Sequence, residues 1–218
     1  MKIDIIVQAR VASTRLQGKV LMPIMRRPMI QYTLESLRRC RLPIIAAIPG
    51  SREGYDGGLG KVCRKVDGVT VFNRYSDVYD VKGRFARCLR ELRPDAFVRI
   101  CGDSPLIDWR VVNWCMDVFR ETKVDILGNL EGFPPGQHVE VVNTEFFLDN
   151  LNHADTEHVT KGLYEIGNSR ILGITPSCEF PPMVVDTQED FDRISAAIEL
   201  CDGKPWMYGF REIQGFLK

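Results

Sequence analysis

Short apolar runs alternate with amphipathic stretches along most of the 218-residue chain. The runs at 3–7, 43–48, 69–72, 96–101 and 124–128 are rich in β-branched residues and too short for buried helices, so they predict strands. Between them, apolar residues at helical spacing predict helices over 28–40, 59–66, 81–92 and 109–120. Pro28 would open the first of these and Arg38 and Arg39 would close it, while Asp108 would cap the last. The polar stretches 49–60 and 73–79 predict loops, the first of them mobile.

Beyond residue 128 the alternation loosens. Phe133-Pro134-Pro135-Gly136 predicts a rigid turn before a strand at 139–142. Helices are expected near 144–151 and 157–166, strands at 170–174 and 183–185, and a long helix at 188–200, with Thr187 and Asp190 as its capping box. An aromatic tail with helical character follows at 204–218. No repeat or low-complexity linker divides the chain, so one domain is expected over 1–218, with an irregular segment at about 130–165. Strands alternating with helices predict a three-layer αβα, Rossmann-like fold with a mostly parallel sheet. Sites in such sheets lie beyond the carboxyl ends of the strands, which selects the loops 8–19, 73–80, 102–105 and 186–187.

Charge narrows the function. Twenty-nine Lys and Arg balance 29 Asp and Glu, so a bulk nucleic-acid binder is not expected. Met1-Lys2 runs straight into a strand with no cleavage site after it, and no apolar stretch approaches the ~20 residues that span a bilayer, so neither secretion nor a membrane is expected. Seven widely spaced cysteines without a CxxC read as reduced thiols of a cytoplasmic protein.

The cations that matter are local. Arg10, Arg15 and Lys19 follow the first strand within ten residues, among Ala12, Ser13, Thr14 and Gly18. Such a loop either stays solvated or turns N–H groups and cationic heads toward phosphate. Asp103 and Asp186 each follow an apolar run and precede a helix. Singly each could be a cap; together with the cationic loop they suggest hard oxygen ligands for Mg²⁺ on a nucleoside triphosphate. Gly60-Lys61 is no P-loop, because Tyr55 and Val62 occupy required Gly and Ser/Thr positions. GxGxxG and GxSxG are absent, and His138, His153 and His158 lack metal-ligand spacing.

Residues 5–21, IIVQARVASTRLQGKVL, resemble the opening of the cytidylyltransferases, in particular the spore-coat polysaccharide protein F group and the CMP-KDO and CMP-sialic acid synthetases. DVKGRF at 80–85, RICGDSPLID at 99–108, EHVT at 157–160 and VDTQEDF at 185–191 extend the resemblance in order. It implies a GT-A-type nucleotidyltransferase domain that moves CMP from CTP to an acidic sugar or similar anionic acceptor for surface polysaccharide, releasing pyrophosphate. Lys19, Arg10 and Arg15 would hold the triphosphate, Asp103 and Asp186 the Mg²⁺, and Gln8, Ala9, Arg84, Gly102 and Ser104 would line the nucleotide. The acceptor would meet Gln137, His138, Glu140, His158 and Thr160, and a homodimer would form through 130–165. Two of four departures fall on the acceptor side. His138 replaces a carboxylate, Thr156 stands where Arg precedes EHVT, Gln17 replaces the Pro of LPGK, and the loop before Asp80 is longer. Another triphosphate or a phosphonate acceptor, or a non-catalytic nucleotide binder, are the alternatives.

Overall fold

The computed structural model describes residues 1–50, 58–74, 77–174 and 181–217. The heart of the expected mobile loop (51–57), two residues of the loop before Asp80 (75–76) and Cys178 lie outside them.

Strand β1 (Ile3–Gln8) is central, with Ile5, Ile6 and Val7 fully buried. A hairpin of β2 (Pro23–Ile24) and β3 (Arg27–Pro28) precedes helix α1 (Ile30–Leu37). Next come β4 (Ile44–Ala47), α2 (Leu59–Arg64), β5 (Val69–Phe72) and α3 (Val81–Leu92). They are followed by β6 (Ala96–Cys101), α4 (Trp109–Glu121), β7 (Ile126–Glu131) and β8 (Glu140–Asn143). Helix α5 (Thr144–Asp149), β9 (Ser169–Gly173), α6 (Gln188–Leu200) and α7 (Phe210–Gln214) complete the order.

Among the described residues the main sheet has seven strands in the order β5-β4-β1-β6-β8-β7-β9. It is mostly parallel, as alternation predicts. Only β8, entering from the turn at 133–136, runs antiparallel to both neighbours. Successive side chains point to opposite faces. Ile3, Ile5, Val7, Val98, Ile100 and Val141 join the larger core with α1, α4 and α6. Ile6, Phe97 and Val142 join the smaller core with α3 and α5. The chain order reverses between β1 and β6, where Gln8 is paired with Cys101, and that switch point opens a crevice.

Three expectations are corrected. Pro28 does not open a helix: it pairs with Pro23 across a turn in which Met25 and Arg26 both have positive φ, the backbone of a type I′ hairpin. The segment 157–166 is not an α-helix. The Asp155 carboxylate accepts from the backbone N–H of Glu157 and His158, and only a 3₁₀ turn forms, at Lys161–Glu165. Residues 183–185 form no strand, because Met183 N–H goes to Pro135 O and Val185 N–H to Asp103 O, two different partners. No described helix is long and apolar enough to cross a membrane. The described cysteines form no disulfide among themselves, and burial pushes the Cys40, Cys88 and Cys115 thiols up to about 12.

Candidate active site

A cavity of about 410 Å³ opens at the switch point. Two backbone features build its floor. Gly18, at φ +71, closes the cationic loop by donating to Val11 O and starts the 3₁₀ turn that carries Lys19 inward. Gly102 donates to Gln8 O at 2.8 Å, and a side chain there would put its Cβ 2.9 Å from that of Ala9. That contact lets the turn after β6 press against the end of β1.

Lys19 is 8% exposed, and all three ammonium hydrogens are used. Its Nζ donates to Asp103 Oδ2 (2.7 Å), Val185 O (2.6 Å) and Asp186 Oδ1 (3.0 Å). Burial works against its charge, but the Asp103 and Asp186 carboxylates outweigh that and hold its pKa above the ordinary lysine value. Arg15 reaches the same Asp186 oxygen at 2.9 Å. Arg10 pairs with Glu157 across the mouth and lies over the Tyr79 ring at 5.4 Å. Each cation of the first loop thus holds a carboxylate. A polyphosphate could take over the cations as the carboxylates turn to a metal.

The donor set fits Mg²⁺. Asp103 Oδ1 is buried without a hydrogen-bond partner, and the shared lysine brings the Asp103 and Asp186 carboxylates together. Among the described residues no three His, Cys, Asp or Glu converge. Two carboxylates that leave positions for phosphates and water are the usual holding for this ion, unlike an all-protein cage.

Twelve of the residues expected at the site line this cavity: Gln8, Ala9, Arg10, Arg15, Lys19, Arg84, Gly102, Asp103, Ser104, His138, His158 and Asp186. Arg84 also braces the preceding loop by donating to the carbonyls of Asp77 and Val78. His138 is exposed, its Nε2 3.2 Å from Phe133 O.

Three expected acceptor residues do not line the cavity. Gln137 is fully buried; its Nε2 donates to Leu106 O and its Oε1 accepts from Asp108 N–H, tying the 133–137 turn to the start of α4. Glu140 is buried beneath the cavity, where Arg99 Nη1 donates to its Oε2 at 2.5 Å. The Thr160 and Tyr164 hydroxyls donate to Glu140 Oε1 at 2.7 and 3.1 Å. That explains Thr160, 2% exposed and facing Glu140. The sequence reading missed Arg99 and Glu157, both of which line the cavity. Arg99 had a signal: a cation inside the apolar run AFVRIC demands a buried partner.

The cytidylyltransferase family model matches residues 5–156, more than half of the chain. The chain belongs to the cytidylyltransferase family. It is 28% identical over 219 residues to the spore coat polysaccharide biosynthesis protein SpsF of Bacillus subtilis, covering 92% of this chain and 88% of that one. Among solved structures, a cytidylyltransferase from Leptospira borgpetersenii superposes with a TM-score of 0.84 at 23% identity, covering 98% of this chain and 92% of that one. A CMP:2-keto-3-deoxy-manno-octonic acid synthetase in complex with CTP superposes at 0.71 with 16% identity, over 92% and 99% of the two chains. Those likenesses establish the nucleotidyltransferase fold, and family membership makes the chain a CTP-dependent nucleotidyltransferase.

Proposed function

We propose that this cytidylyltransferase transfers CMP from CTP to a small anionic hydroxy compound, an acidic sugar destined for surface polysaccharide, and releases pyrophosphate. The observation that carries the reading is the convergence of Lys19, Asp103 and Asp186 on one wall of the switch-point cavity. Lys19 and Arg15 would leave their carboxylates for phosphate oxygens, and Arg10 would leave Glu157. They would hold the α-phosphate in line with the acceptor oxygen and neutralise charge as pyrophosphate departs. Mg²⁺, bound by Asp103 and Asp186, would supply Lewis-acid stabilisation of the phosphate oxygens. No protein nucleophile is required in such a transfer.

Asp103 and Lys19, whose loss would mark a non-catalytic binder, are both present and joined. The acceptor would enter beside His138 and His158. The exposed Leu130 supports a homodimer through 130–165, with exposed Ile166 and Ile171 just beyond that segment, and cysteines that form no disulfide among the described residues suit a cytoplasmic setting. The test crosses the four common triphosphates with a panel of sugar acids and phosphonates and reads pyrophosphate release with and without a chelator. Release with CTP, dependent on acceptor and abolished by chelation, is expected. Equal turnover of ATP or GTP, or none with any acceptor, would overturn the reading.

A further inference from the structure

Gln8 stands at the end of β1 with its amide orientation fixed from beneath. Arg99 Nε donates to Gln8 Oε1 at 3.0 Å, and the same guanidinium donates to Glu140 Oε2. Glu140 is itself held by the hydroxyls of Thr160 and Tyr164. A guanidinium has N–H donors and no acceptor, so the amide atom facing it must be the oxygen. The Gln8 nitrogen therefore points away from Arg99, and Gln8 lines the cavity. A free glutamine can offer a ligand either end of its amide. Here the buried ion pair withdraws one of them.

We propose that the Glu140–Arg99 pair is a positioning device that presents Gln8 Nε2 to the cavity as a hydrogen-bond donor, and that this donor reads ring N3 of cytosine. The proposal rests on the cavity being the CTP site. Cytosine N3 carries a lone pair, whereas uracil N3 carries a hydrogen. With uracil, two N–H groups face each other and neither finds an acceptor, a loss that discriminates roughly ten- to a hundredfold. CTP and UTP carry the same triphosphate, so the contributions of Lys19, Arg15 and the metal cancel between them. Glu140 and Thr160 act on the nucleotide through Arg99 rather than on the acceptor by touch.

The experiment is isothermal titration of the intact protein with CTP and with UTP in the presence of Mg²⁺, which needs no acceptor. The wild type should bind CTP at least tenfold more tightly. Gln8→Glu keeps the length and an oxygen for Arg99 but has no N–H and can accept from uracil N3–H, so the CTP:UTP ratio should fall to one or below. Arg99→Met frees the amide to turn, and the same ratio should fall through tighter UTP binding; a thermal melt verifies that this variant is folded, and Gln8→Glu carries the test if it is not. A CTP-selective wild type whose ratio survives Gln8→Glu within twofold overturns the inference and leaves the nucleotide reading standing. A ratio lost in Gln8→Glu but kept in folded Arg99→Met overturns the positioning role. A wild type that binds neither nucleotide overturns both.

Discussion

Two charged clusters sit at the carboxyl ends of the same strands, one above each face of the sheet. Above the larger core, Lys19, Arg15, Asp103 and Asp186 share one cavity wall, and Asp103 keeps one buried oxygen unpartnered. Above the smaller core, both Glu140 oxygens accept hydrogen bonds and Arg99 donates to Gln8, Glu140 and Cys101. The first cluster is built of pairs that a ligand can exchange. In the second, the charges hold each other and the Gln8 amide oxygen. Buried charge thus serves opposite ends in the two places: reactivity where a partner can be replaced, orientation where it cannot.

The largest effect should come from breaking the open cluster. Asp103→Asn leaves one oxygen where the carboxylate has two, so it cannot both accept from Lys19 and serve the proposed metal, and a roughly 10²- to 10³-fold fall in pyrophosphate release is expected, the usual cost of losing one transition-state contact. Its melting temperature should stay near wild type, because Lys19 keeps Val185 O and Asp186. A fall of less than tenfold, or a melt as damaged as the activity, would erase the distinction.

The closed cluster should behave the other way. Glu140→Gln leaves the Arg99 guanidinium buried against a neutral amide, and breaking a buried pair from one side costs about 3–5 kcal/mol. For a chain of this size that is a drop of roughly 6–20 °C in melting temperature. Thermal unfolding at pH 7 measures it. A shift under about 2 °C would mean that Arg99 is less dependent on Glu140 than its geometry implies.

Alkali should separate the clusters without any substitution. Lys19 has its pKa raised in the fold despite burial, chiefly by the Asp103 charge. Its contribution is fully present below the unfolded lysine value of about 10.5 and is lost as pH rises through the higher folded value. Arginine does not deprotonate in this range, so the Arg99–Glu140 pair keeps its charge. The stability gap between wild type and Lys19→Met should therefore hold up to about pH 10.5 and close above it, while that between wild type and Glu140→Gln holds throughout. Urea titrations from pH 7 to 11.5 would show both, and parallel curves would contradict the assignment.

Local periodicity explains what the sequence made legible. Val69–Phe72, Val81–Leu92, Ala96–Cys101 and Gln188–Leu200 are read to the residue, because the two strands are short apolar runs and the two helices carry their own spacing and an N-cap, Asp80 and Thr187. The hairpin at 23–28 was not, since its turn places Met25 and Arg26 in a conformation usually signalled by Gly or Asn. Lys19, Asp103 and Asp186 could be gathered from sequence because the loop of Lys19 follows β1 and the two aspartates follow apolar segments that end at the crevice. Glu140 and Thr160 could not be assigned from motif position alone, which says nothing of whether a side chain faces ligand or core. Opposite charges embedded in apolar strands at 99 and 140 were the available clue.

The smallest expected effect belongs to His138, which stands at the cavity wall outside both clusters. The resemblance puts a carboxylate at this position, so the imidazole removes a negative charge from the acceptor's approach. Its Nε2 lies 3.2 Å from Phe133 O, and because a carbonyl only accepts, that nitrogen carries the hydrogen. Nδ1 is then the nitrogen left to face an incoming ligand. His138→Asp restores repulsion at an exposed position, where a single charge interaction is worth about 0.2–1 kcal/mol. An increase of up to roughly fivefold in KM for an anionic acceptor is expected, with the KM for CTP unchanged, because the residues proposed to hold the triphosphate are Lys19, Arg15 and Arg10 rather than His138. Initial rates with each substrate varied in turn separate the two constants. Raised salt should shrink the acceptor effect, as it does for exposed charges generally. If both constants stay put at low salt, His138 plays no part in admitting the acceptor, and the departure from the family at this position is neutral.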